Sequence, residues 1–122
     1  MCLKYQNKAP RIKVGWKVFK RFSDGSLRSE MKGRSRDLPV SKWLNEKDYR
    51  DSDYKRRKYI RDDEGKKYPM GWHIFDTREA AVSWGCSSFQ SLRKVDVFMV
   101  LAHGVQGSAE RPITVARFIR IH

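Results

Sequence analysis

Ile12-Lys13-Val14-Gly15-Trp16-Lys17-Val18-Phe19-Lys20-Arg21-Phe22 is the stretch on which the fold turns. Ile12, Val14, Trp16, Val18 and Phe22 share one parity, while Lys13, Lys17 and Arg21 share the other. Side chains alternate between the two faces of a strand, so the pattern predicts a strand with one buried and one solvated face, interrupted at Phe19 and Lys20. Asp24-Gly25 follows directly. That dipeptide suits a type I′ hairpin turn, so Leu27 to Met31 is expected to return antiparallel.

On the N-terminal side, residues 1–11 are polar and mixed and read as an arm or a disordered lead. On the other side, Lys32 to Asp37 carries basic and small residues without apolar periodicity and reads as an exposed loop. Leu38-Pro39-Val40 and Trp43-Leu44 bring the chain back to the core, with Pro39 holding Leu38 extended. Between residues 46 and 68 basic and acidic blocks nearly cancel, among them Lys55-Arg56-Arg57-Lys58 and Asp62-Asp63-Glu64. That stretch reads as a charged, mobile excursion with a short strand near Tyr59.

Trp72 to Phe75 reads as a short strand, and Asp76 or Thr77 as the cap of a helix over Arg78 to Trp84 that stops near Gly85. Phe89 to Arg93 is expected to add another helical turn. Val95 to Ala102 is apolar on nearly both parities, as in a central strand. Ile113 to Ile121 is the last long strand, joined to its predecessor by so short a connection that the two must be antiparallel. The expected architecture is α+β: an antiparallel sheet of about four to six strands with one helix packed on it, and a half-barrel as the variant. The 122 residues are expected to make one basic domain.

Charge is the strongest compositional signal. Lys and Arg number 27 against 14 acidic residues, a net +13 with a pI near 10.1. Such an excess implies a polyanionic partner: RNA or DNA, a nucleoprotein, or an acidic protein face. No run of about 18 apolar residues exists to span a membrane, and no apolar leader is visible at the N-terminus, so the expected location is the cytoplasm. Cys2 and Cys86 are too few for a disulfide framework and read as free thiols.

Nine basic residues lie between Arg11 and Arg36, against Asp24 and Glu30. The expected nucleic-acid contacts are Lys13, Lys17, Lys20, Arg21 and Arg28 of the hairpin and Lys32, Arg34 and Arg36 of the loop. Lys55, Arg56, Arg57 and Lys58 complete the set, the whole forming one electropositive surface that tracks phosphates while an exposed ring stacks on a base. The competing reading is an ordinary solvated face. His73, inside Gly71-Trp72-His73-Ile74-Phe75, is either a functional imidazole or a packed one. His73, His103, His122, Cys2 and Cys86 show no ligand spacing, so no metal is expected. No Gly-x-Ser-x-Gly element or phosphate-cradling glycine pattern occurs, and neither a cofactor nor catalytic residues are expected.

Trp16-Lys17-Val18-Phe19-Lys20 running into Asp24-Gly25-Ser26-Leu27, then Leu38-Pro39-Val40, Trp43-Leu44 and Gly71-Trp72-His73, with the closing Ala116-Arg117-Phe118-Ile119-Arg120-Ile121, resembles a group of small bacteriophage and prophage proteins. The resemblance implies host takeover in a bacterial cytoplasm, including inhibition of host defence by an anti-CRISPR protein that grips a nucleoprotein effector. The element Gly71 to Phe75 followed by Thr77-Arg78-Glu79-Ala80-Ala81 is similar to the core of mono-ADP-ribosyltransferase folds. That likeness implies an enzyme using a nicotinamide nucleotide, with Glu110 as the one candidate for its late-strand carboxylate.

Overall fold

The structure, a computed structural model, describes residues 4–6, 12–30, 36–85 and 87–122. In chain order it contains β1 (Lys4–Gln6), β2 (Val14–Arg21), β3 (Leu27–Ser29) and β4 (Trp43–Asn45), then 3-10 turns at Glu46–Tyr49 and Ser52–Tyr54. There follow β5 (Tyr59–Arg61), β6 (Lys67–Pro69), β7 (Trp72–Phe75), the helix α1 (Arg78–Trp84), and the long strands β8 (Gln90–Gln106) and β9 (Arg111–Ile121).

Seven strands form one sheet in the order β1-β8-β2-β7-β9-β4, with β3 attached to β2, while β5 and β6 make a separate ribbon. Every pairing is antiparallel. Because β8 also pairs with β9, the path closes: β8 to β2, β2 to β7, β7 to β9, and β9 back to β8. The thinnest seam is β2 to β7, whose only register pair is Trp16 with Phe75. Gly15 permits that approach. A Cβ on it would stand 2.4 Å from Ile74 Cγ2 and 2.9 Å from the Phe75 carbonyl oxygen.

The expected α+β class is therefore corrected. About 50% of the described residues are strand and 13% helical, so the fold is largely β. The seven-residue α1 is a cover on one side of the sheet rather than a second layer. Phe89 to Arg93 makes no helical turn either: Gln90 to Leu92 pair with Lys20 to Val18 and extend β8 to 17 residues, because the free side of β2 offers backbone partners that a single turn would forgo. Residues Lys4–Gln6 of the expected arm pair with β8, and residues 1–3 and 7–11 lie outside the described residues.

Consecutive residues of β2 feed different cores. Phe19 joins Leu27, Leu44, Trp72, Ile74, Val95, Ile119 and Ile121, whereas Val18 joins Tyr68, Phe75, Ala80, Ala81, Ile113 and Val115 beneath α1. The middle of β2 is thus covered on both faces, and the expected solvated face does not exist there. Lys17 is 1% exposed, with Nζ donating to the His73 carbonyl oxygen at 2.8 Å. In α1, Thr77 is the cap, its hydroxyl accepting the Ala80 amide at 3.1 Å. Asp76 serves the strands instead, accepting from Thr114 Oγ1 at 2.7 Å and lying 3.1 Å from His103 Nε2.

β8 bends where Met99 adopts φ 61° and the register with β9 slips between Val100 and Ala102. One extra residue on a strand turns the side chains that follow it to the other face. Just before the slip Phe98 and Met99 are both exposed, and Phe98 lies against Trp43 and Phe118 on the outer surface. Among the described residues no helix is long and apolar enough to cross a membrane.

Candidate functional site

The basic residues expected on one surface fall into separate places. Lys13 is exposed just before β2, whereas Lys20 and Arg21 are exposed at its far end, on the order of 20 Å away at about 3.3 Å per residue. Lys17, between them, points into the core. Arg28 is held by Asp37 at 2.8 Å and lies 4.3 Å from the ring centroid of Phe22. Arg36 donates to the Asp48 carbonyl oxygen at 2.6 Å. Lys32 and Arg34 lie outside the described residues.

Lys55, Arg56, Arg57 and Lys58 do converge. With Lys47, Arg50, Tyr59, Pro69, Leu101 and Arg117 they line an open groove of about 590 Å³, and no carboxylate is among the lining side chains. Arg50 is neutralised by buried Glu46. Among the described residues no carboxylate lies within ion-pair distance of Lys47, Lys55, Arg56, Arg57, Lys58 or Arg117. Nη1 of Arg117 is buried and has no hydrogen-bond partner among the described residues. A buried donor left unpaired costs about 1–3 kcal/mol.

The groove is shaped from beneath. Arg50 Nε donates to both oxygens of Glu46, at 2.8 and 2.6 Å, and its Nη2 lies 2.6 Å from Oε2. The remaining guanidinium donors reach the carbonyl oxygens of Arg57 and, at 3.5 Å, Met70. The buried pair therefore ties the basic loop to the end of β6. Two successive turns, Tyr54 amide to Asp51 carbonyl at 2.9 Å and Arg57 amide to Tyr54 carbonyl at 3.1 Å, then carry Lys55 and Arg56 outward. Arg57 crosses the Tyr54 ring at 4.9 Å. Lys47, Arg50 and Arg117 were not legible as site residues; the available signals were the Glu46/Arg50 spacing of four and Arg117 breaking the apolar runs Val115-Ala116 and Phe118-Ile119 within β9.

A second cleft, of about 650 Å³, lies beside the β2–β3 turn and is lined by Lys20, Arg21, Phe22, Ser23, Glu30 and residues 87–90. It shares no lining residue with the groove.

His73 is fully buried, its Nε2 2.9 Å from Tyr68 Oη and the two rings edge to face. That is the environment of a packed imidazole. Glu110 stands in the exposed turn between β8 and β9 with φ 51°, not on a strand. The Asp96 carboxyl is held below its usual range, chiefly by the hydrogen bond from His122 and, against the opposing effect of burial, by Arg120. The chain matches no protein-family model, no curated protein and no solved structure.

Proposed function

We propose that the protein binds nucleic acid, free or carried in a host nucleoprotein, by laying phosphates along the groove between the Lys55 to Lys58 loop and Arg117. The supporting observation is the convergence of Lys47, Lys55, Arg56, Arg57, Lys58 and Arg117 on one groove with no acidic lining. So many cations exceed what a single phosphate can neutralise, and a backbone that repeats its charge suits them better. Arginine forks give a phosphate two parallel hydrogen bonds, and the net +13 of the chain speeds the approach of any polyanion.

The test is a titration of labelled RNA and DNA at several salt concentrations, with the wild type and with Lys55, Arg56, Arg57 and Lys58 all changed to Glu. The wild-type affinity is expected to fall with a log–log slope of about 0.9 per neutralised phosphate on duplex DNA, or about 0.7 on single strands. The variant is expected to keep its fold and lose binding. Equal affinity in the variant, or cellular complexes that survive nuclease intact, would exclude this function and favour an acidic protein face as the partner.

A further inference from the structure

Phe89 is 78% exposed, the most exposed of the large apolar side chains among the described residues. Its backbone is nevertheless fixed. The carbonyl oxygen accepts the Arg21 amide at 2.8 Å, the Phe89 amide reaches Ser87 Oγ at 3.4 Å, and the Ser87 amide donates to Gln90 Oε1 at 2.8 Å. The Arg21 guanidinium adds a bond to the Ser88 carbonyl oxygen at 2.9 Å. An apolar ring is thus held out into water by a pinned turn, at the mouth of the cleft that Phe22 and Lys20 also line. Phe22 is 40% exposed and carries Arg28 against its ring.

A flat apolar surface in a cleft that Lys20 and Arg21 also line has a specific complement. Aliphatic partners gain nothing from the adjacent charge, and carboxylates gain nothing from the ring. An unpaired nucleobase with its attached phosphate uses both. Glu30 is the one carboxylate in the lining, and it is engaged by Gln90 Nε2 at 3.0 Å. Lys20 and Arg21 in the same lining outnumber it.

We propose that this cleft receives an unpaired base of a single-stranded segment, stacked on Phe89 with its phosphate beside Lys20. The proposal rests on the nucleic-acid reading of the groove and adds that the preferred ligand is single-stranded, touching the protein at two separate places. Stacking is sequence-tolerant because every base presents a π-face, so little base preference is expected.

The experiment compares the wild type, Phe89→Ala and Phe89→Trp for binding to an oligouridylate, an oligothymidylate and a duplex of the same length, by fluorescence anisotropy at several salt concentrations. Phe89→Ala is expected to weaken single-strand binding on the order of 5- to 150-fold, the value of one stacked base. Duplex affinity and the salt slope should not change, and Phe89→Trp should retain single-strand binding. Unchanged single-strand affinity in Phe89→Ala overturns the proposal while leaving the groove intact, because reversal of Lys55 to Lys58 would still abolish binding. A wild type that binds neither form removes both readings. If Phe89→Ala instead disrupts a nuclease-resistant protein complex, the ring is a protein contact and the proposal is likewise overturned.

Discussion

Arg50 is clamped to Glu46 through two Nε contacts of 2.8 and 2.6 Å, and neither side chain reaches solvent. Removing one partner of such a pair leaves a buried charge without compensation, at about 3–5 kcal/mol. Arg50→Met is therefore expected to lower stability by that amount in chemical denaturation. It should also weaken nucleic-acid binding although Lys55 to Lys58 are untouched, because the Arg57 carbonyl loses the donor that anchors the loop.

Lys17 gives the opposite pattern. Its stem is packed and its ammonium bonds the His73 carbonyl oxygen. Lys17→Met is expected to retain nucleic-acid affinity, whereas Lys17→Glu sets a carboxylate against that carbonyl and should cost several kcal/mol, on the order of 3–5. Affinity and thermal stability measured on both variants separate a buried lysine from a phosphate contact.

Gly15→Ala tests the seam between β2 and β7. The added methyl collides with Ile74 Cγ2 and with backbone at Phe75, which is not free to withdraw. Overpacking of this kind costs about 1–3 kcal/mol, and a lowered melting temperature with unchanged salt dependence of binding is expected.

Asp96 connects β8 to the end of β9 through Arg120 at 2.7 Å and His122 at 2.8 Å. Its folded pKa lies below the ordinary value of 3.8. The carboxylate thus contributes stability that is complete above the unfolded pKa and disappears as pH falls through the lower folded value. Asp96→Asn is expected to be less stable than the wild type at neutral pH, and the difference should shrink as the solution is acidified below 3.8. Melting temperatures of the two proteins across that range are the check.

Much of the strand pattern could be read directly. The β2–β3 hairpin was legible at Asp24-Gly25, although the expected type I′ turn is not the one formed: Gly25 takes a positive φ of 85° but Asp24 does not, and the Phe22 amide bonds the Ser26 carbonyl across a three-residue loop. The end of α1 follows from Gly85, and the β8–β9 pair from two apolar runs with a short link. Thr77 was one of two possible caps and is the one used. What periodicity could not supply was the identity of the buried face. Lys17 and Phe19 share a parity, and a long lysine stem whose ammonium finds a carbonyl partner is as buriable as a phenylalanine, so charge alone misplaced the strip. In the 46–68 segment the short strand near Tyr59 is present as β5, while the buried ion pair was not legible. Glu46 and Arg50 cancel each other inside the protein and so look, in sequence, like two more surface charges. Arg117 was hidden because its partners are supplied by turns some 60 residues earlier in the chain.

The closed path of strands sets an order of events during synthesis. Val14 to Lys20 bond to residues 90–96, so the early strand has only the short Leu27–Ser29 return beside it until most of the polypeptide has left the ribosome. Pairings between such distant segments form slowly, and a nascent chain carries Val18 and Phe19 uncovered in the interval. A chaperone that shields the early strands through that interval should therefore raise the soluble yield.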